Sequence, residues 1–481
     1  MDLISTQSSL LCIFSSHRKN SKCQIQRKWV VLIAGFFSMF ISASIPFNLS
    51  VLYVEFLREF GKSKAETALV QSVCSGTFLC AGFLSGSLVT RFGPRKCCIM
   101  GGLIAGIGIS VSYFAMDIVF LVISIGAVAG FGLSMTYIST SSCVAQHFEG
   151  QSKLLALSFI TFGSGLGSMT VPQAMDVMLR NFDWRGTLLV ISAVCLNICV
   201  FGSVYVQPKP TDVNSNEKKT KQRRRSSISI QSNENESMKI QVGIIESFKT
   251  ILGHKPFVFY ILAIGAAISA YNAILVFFID YYESKGFERE TSLMLLLATN
   301  LSSSCFRFLP GLVLQSPRVP VLAIPCAALF LGTGTLALYP LADSLTHFIP
   351  VACMFGATLG CFVAAISLTT MEITGQKYFS TGVGVTMSMS GIMTAFSGPI
   401  SGFLRDTTGS YDLCFFTSSG CLLVTFIFLS SVAVNGYIKD RKLEKELSLK
   451  DISSRRPARR HSSIFPWKKG VDIMNSVYSI S

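Results

Sequence analysis

Residues 97–142 read CCIMGGLIAGIGISVSYFAMDIVFLVISIGAVAGFGLSMTYISTSS, and Asp117 is the only charge among these 46 positions. On either side of Asp117 lies an apolar run of about 20 residues, which at 1.5 Å per helical residue matches the ~30 Å hydrocarbon core of a bilayer. Lipid offers no hydrogen bonds to a backbone, so such runs satisfy their own N–H and C=O groups as helices. Reading outward with the same rule gives spans at 29–54, 66–89, 97–115, 118–142, 154–175 and 187–206, then a polar segment, then spans at 256–280, 292–314, 319–340, 346–371, 381–404 and 412–437. The expected fold is all-α, twelve transmembrane helices in two six-helix halves.

The expected division is a tail (1–28), an N-terminal half (29–206), a basic linker (207–255), a C-terminal half (256–437) and a second tail (438–481). Composition agrees with this reading. Of the 481 residues 50% are hydrophobic and 14% charged, with mean hydropathy +0.53, where a soluble protein carries about a quarter charged residues. The 15 cysteines lie scattered through apolar runs and only five histidines are present. They read as small apolar residues, with no metal site or cofactor expected. The Leu10–Phe14 patch is short for a cleavable signal, and its basic residues follow it rather than lead it.

Charge sets the expected orientation. The two tails, the linker and the loops at Arg91–Lys96, Lys153, Arg318 and Lys377 hold 32 of the 41 Lys and Arg, while the alternate loops are mixed or acidic. The positive-inside rule then puts both termini and the linker in the cytoplasm. The net charge of +15 is thus largely topological. The run Lys218–Arg225 fits anionic lipid headgroups better than nucleic acid, because it lies between spans.

Two features could carry chemistry. In GSLVTRFGPRK, Gly86 permits a close helix approach and Gly93 a sharp turn, while Arg91, Arg95 and Lys96 can engage helix C-terminal carbonyls or an acidic partner. An ordinary basic loop is the plain alternative. Gly86, Arg91, Gly93, Arg95 and Lys96 are nevertheless spaced like the loop signature of major facilitator transporters, with Glu372 as a candidate partner or inner gate. The second feature is Arg307 in LATNLSSSCFRFLPGLV, a charge well inside an apolar run. A lone Arg at a helix centre costs roughly 2.5–3.5 kcal/mol, and the run offers no acidic neighbour. A bound anion is then its natural partner, gripped by two parallel hydrogen bonds. Snorkelling to the interface is the competing reading. In the linker and the C-terminal tail, Ser227 and Ser462 each follow an Arg pair, the pattern of a basophilic kinase site, which also arises by chance. No nucleophile motif, His/Asp/Glu cluster or phosphate-binding glycine loop lies in or beside a span, so an enzyme is not expected.

Several stretches taken in order resemble the monocarboxylate transporter family (solute carrier family 16): SVLYVEFLREFGKSKAETALVQS (50–72), RFGPRK, DWRGTLLVISAVCLN (183–197), ITGQKYFSTGVG (373–384) and SGPISGFLRDTTGSYDLCFF (397–416). Departures mark a divergent member. Where proton-coupled lactate carriers of that family have a span-1 Lys, an Asp four residues before the span-8 Arg and a span-10 Phe, this chain has Phe47, Ser303 and Ser367, while Arg307 is retained. The resemblance implies a plasma-membrane carrier of a small organic anion or zwitterion, working by facilitated diffusion or a different coupling. Arg307 would hold the carboxylate, with Phe47, Asn300, Ser303 and Ser367 around it. Some relatives need a single-span glycoprotein escort, which the sequence leaves open. The alternative is a non-transporting sensor or scaffold that kept the fold.

Overall fold

The computed structural model describes residues 27–62, 64–205, 251–253, 255–316, 319–408 and 410–454. The linker serines, residues 1–26 and 455–481 and Arg318 therefore lie outside the described residues, including the Ser227 and Ser462 sites. Among the described residues every regular element is helical. Span 1 is Arg27–Asn48, prolonged by Ser50–Phe60, and span 2 is Lys64–Cys80 followed by Gly82–Phe92. Spans 3 and 4 are Pro94–Val111 and Ile118–His147. The helix Gln151–Ser203 crosses twice, as span 5 (151–182) and span 6 (184–203). In the second half, Lys255–Ser284, Arg289–Val313 and Ala323–Leu338 are spans 7, 8 and 9. Leu345–Thr408 again crosses twice, as spans 10 (345–374) and 11 (376–408), and span 12 opens Asp412–Ser454.

Two connections are tighter than the sequence suggests. The loops expected near 176–186 and 372–380 shrink to single residues, Asp183 at φ 55°, ψ 177° and Gly375 at φ 67°, ψ 174°. One extended residue of positive φ reverses the chain while the flanking residues remain helical on both sides. At the 92–94 turn the sequence reading is direct. Gly93 takes φ 85°, its N–H donates to the Val89 carbonyl, and Pro94 starts the next helix, where its missing N–H has no consequence.

The face on which span 1 begins and the 92–94 turn lies is here the tail face; the opposite one is the far face. The halves repeat each other. Near the far face, Trp184 of span 6 packs edge-on against Phe56 beyond span 1 (5.5 Å between centroids), and Tyr411 before span 12 packs against Phe277 and Tyr281 of span 7 (5.9 and 6.2 Å). Ion pairs accompany both contacts with polarity reversed, Glu59–Arg185 at 3.0 Å and Lys285–Asp412 at 3.9 Å. Each half also has its own core. The second core draws on the C-terminal half and the end of the linker before it, from Ile251 to Leu429. The first gathers spans 1–6 and recruits Leu314, Val321, Leu368, Met371, Phe379 and Val383 across the seam. Those six side chains all sit at the tail ends of spans 8 to 11.

Candidate functional site

Small residues bring the halves together. Gly86 of span 2 lies so close to span 11 that a Cβ there would stand 2.6 Å from the Ser380 carbonyl oxygen. Its counterpart in the repeat, Gly311 of span 8, lies equally close to Ser158 of span 5. Between these contacts run hydrogen bonds of uncharged groups: Ser142 Oγ to Ser380 Oγ at 2.7 Å and Thr90 Oγ1 to Thr381 Oγ1 at 3.3 Å. Near the tail face a charged group joins them, Lys153 Nζ donating to Gln376 Oε1 at 2.9 Å. All of these lie between the tail face and mid-depth, so the bundle is pinched on the tail side.

Arg307 forms part of this seam. Its helix runs Arg289–Phe306, and Arg307 caps that helix before Leu309–Val313 resumes. The guanidinium Nη1 donates to Ser164 Oγ of span 5 at 2.6 Å, and the Ser164 hydroxyl in turn donates to the Thr161 carbonyl at 2.7 Å. Gly165 makes room for this contact, since a Cβ there would be 3.0 Å from Arg307 Cδ and 2.9 Å from Ser304 Cα. The Nε of Arg307 is buried and has no hydrogen-bond partner among the described residues. Its electrostatic neighbour is Tyr137 of span 4, which lies near Ser367. From Tyr137 a line of edge-on aromatic contacts climbs toward the far face, Tyr137 to Phe78 at 5.7 Å and Phe78 to Phe47 at 5.8 Å.

The residues expected around a carboxylate fall as follows. Phe47 is 41% exposed at the top of that aromatic line, and Ser367 is buried at its foot. Asn300 is half-buried, one helical turn before Ser304, whose hydroxyl donates to its carbonyl. Ser303 is buried with its backbone against Gly360 of span 10, and its hydroxyl has no partner among the described residues. In the tail-face loop, Arg91, Arg95 and Lys96 are exposed and the Arg91 guanidinium rests 5.1 Å from the Phe92 ring; Glu372 is half-buried at the end of span 10. Sequence reasoning missed Ser164, Gly165 and Tyr137. A serine, a glycine and a tyrosine within apolar runs look like ordinary helix-packing residues until the other half is placed against them.

The Major Facilitator Superfamily profile matches residues 31–398. Monocarboxylate transporter 13 of Rattus norvegicus is 24% identical over 395 residues, covering 82% of this chain and 86% of that one. Monocarboxylate transporter 12 of Xenopus laevis is 27% identical over 420 residues, covering 85% and 90%. Among solved structures, the transporter FucP in the outward conformation superposes with a TM-score of 0.64 at 14% identity, over 84% of this chain and 98% of that one. The sugar-bound proton:xylose symporter XylE gives 0.63 at 12%, over 85% and 96%. With twelve spans among the described residues, mirrored halves and a small-residue seam, and similar to monocarboxylate transporters 12 and 13, this chain belongs to the Major Facilitator Superfamily of membrane transporters.

Proposed function

We propose that the chain carries a monocarboxylate, or a related carboxylate-bearing organic solute, across the plasma membrane by alternating access, with both termini cytoplasmic. The charge asymmetry supports that orientation, and on it the tail-pinched bundle is the outward-facing state. The observation that carries the reading is the buried Arg307 Nε with no partner among the described residues, beside an Nη1 already held by Ser164. A buried charged donor left unpaired costs at least ~1–3 kcal/mol. A carboxylate arriving from the far face offsets that cost by taking two parallel hydrogen bonds from one edge of the guanidinium. Tyr137 and Ser367 supply further hydroxyls, and Phe47 and Phe78 an apolar wall.

Loading also acts on the gate. Ser164 and Arg307 belong to different halves, so an anion that draws Arg307 toward itself weakens a bond that keeps the tail side shut. Proton–lactate symport by the family's route is not the reading favoured here. Phe47 and Ser303 occupy the positions of the titratable Lys and Asp, which leaves no acid there to carry a proton.

Uptake into proteoliposomes tests this, using a panel of radiolabelled short monocarboxylates and amino acids. Loss of the charge-assisted bonds predicts that Arg307→Ala lowers kcat/KM by roughly 10–100-fold. Arg307→Lys, which keeps the charge but not the planar fork, falls between. Unchanged uptake by Arg307→Ala overturns the site. Strong acceleration by an imposed inward proton gradient overturns the uncoupled reading separately.

A further inference from the structure

Span 2 is bent by 47° where its segment Leu69–Cys80 meets Gly82–Phe92. Proline is absent from this stretch, SVCSGTFLCAGFLSGSLVTRF (72–92), and the backbone at Ala81 is itself helical, φ −70°, ψ −3°. Sharp helix kinks have identifiable causes, one of which is a foreign side chain inserted into the ladder of backbone bonds. Such a side chain is present. Ser388 of span 11 accepts a hydrogen bond from the Phe83 N–H and donates one to the Cys80 carbonyl, both at 2.8 Å. The two groups flank the bend. In an unbroken helix the Phe83 N–H would turn to the Leu79 carbonyl and the Cys80 carbonyl to the Leu84 N–H. Ser388 is held there by small residues on its own face. Gly384, one turn earlier, meets the Gly82 carbonyl, and Gly391, one turn later, would place a Cβ 2.7 Å from Leu79 Cβ and 3.0 Å from Cys80 N.

We infer that Ser388 is a latch: its hydroxyl holds span 2 bent while the tail side is closed, and span 2 straightens when the halves part. The bend and the closed seam are then one event. When span 11 withdraws, Phe83 N–H and Cys80 C=O satisfy themselves along their own helix, and the arm Gly82–Phe92 swings into line with Lys64–Cys80. The device stands independently of the substrate reading, because it needs no ligand.

The test is double electron–electron resonance on the full-length protein in lipid nanodiscs without substrate. Spin labels are attached through a genetically encoded non-natural residue, so that native cysteines stay in place. Labels at Leu69 and Phe92, both exposed, report the length of span 2. At a rise of 1.5 Å per residue, opening a 47° bend near the middle of this helix lengthens it by about 3 Å. Labels at Phe92 and Lys377 report the seam. With two hydrogen bonds lost, Ser388→Ala is expected to shift the ratio of closed to open seam about tenfold toward open. The 69–92 distance should gain a longer component of the same weight. Ser390→Ala is the control, because the Ser390 hydroxyl bonds only within its own helix, to the Thr386 carbonyl at 2.8 Å. Three results overturn the inference: no change in either distance with Ser388→Ala, an opened seam with span 2 still bent, or an equal response from Ser390→Ala.

Discussion

Replacing Gly86 by alanine adds one methyl group at the point of closest approach between spans 2 and 11. That carbon would stand 2.6 Å from the Ser380 carbonyl oxygen, 3.3 Å from its carbonyl carbon and 3.4 Å from Thr381 Cα. Carbon atoms in close helix contacts sit about 3.3 Å or more from a carbonyl oxygen, so the helices must part by about 0.7 Å. The obstacle is backbone on both sides, and no rotamer relieves it. Overpacking of this kind costs ~1–3 kcal/mol, and only the tail-closed state bears it, because the methyl has free space once the seam opens. The ratio of closed to open state should then fall by a factor of about 5 to 150. Label pairs at Phe92 and Lys377 read that ratio directly, and net uptake should fall because each cycle must rebuild the penalised state. Gly76→Ala in the same helix is the comparison, since a Cβ there meets nothing within 4 Å. A Gly86→Ala distance distribution that superimposes on the parent's, or an equal shift from Gly76→Ala, would refute the packing argument.

Two more expectations concern stability. Trp184 is 5% exposed and packs on Phe56 and Phe60, so Trp184→Ala should cost ~3–5 kcal/mol, visible as a large drop in the thermal unfolding midpoint in detergent. Its neighbour should behave differently. The Arg185–Glu59 pair is 40% and 42% exposed, so Glu59→Gln should cost less than ~1 kcal/mol and move the midpoint little.

The spans were legible in the sequence because lipid imposes one demand on every segment that crosses it, an unbroken apolar run of sufficient length. Even Asp117, the single charge between spans 3 and 4, falls where a loop is needed, and there it caps the next helix by accepting from the Ile118 N–H. Arg307 was legible for the same reason, as a charge where charges are costly. The partner of Arg307 was not. Ser164 is 143 residues away in sequence, and a serine costs little in a helix whether or not anything approaches it. The same holds for Ser388, which bonds to backbone 305 and 308 residues distant. Glycines at 82, 86, 165 and 384 are recognisable as places where helices could touch, but hydropathy does not say which helices. The seam is written in residues whose meaning depends on their partners, while the spans are written in residues whose meaning depends on the solvent.

The reversed ion pairs and the aromatic contacts beside them have a mechanical consequence. In each half they tie the far end of the first helix to the start of the last, Glu59 to Arg185 and Lys285 to Asp412. The aromatic contacts, more than the exposed ion pairs, resist splaying there, so part of a torque applied at one of the two tied helices is carried to the other. A pull on Arg307 that reaches span 7 or span 12 therefore moves the far ends of both, with Ser388 and the small residues near it as the place where the halves part.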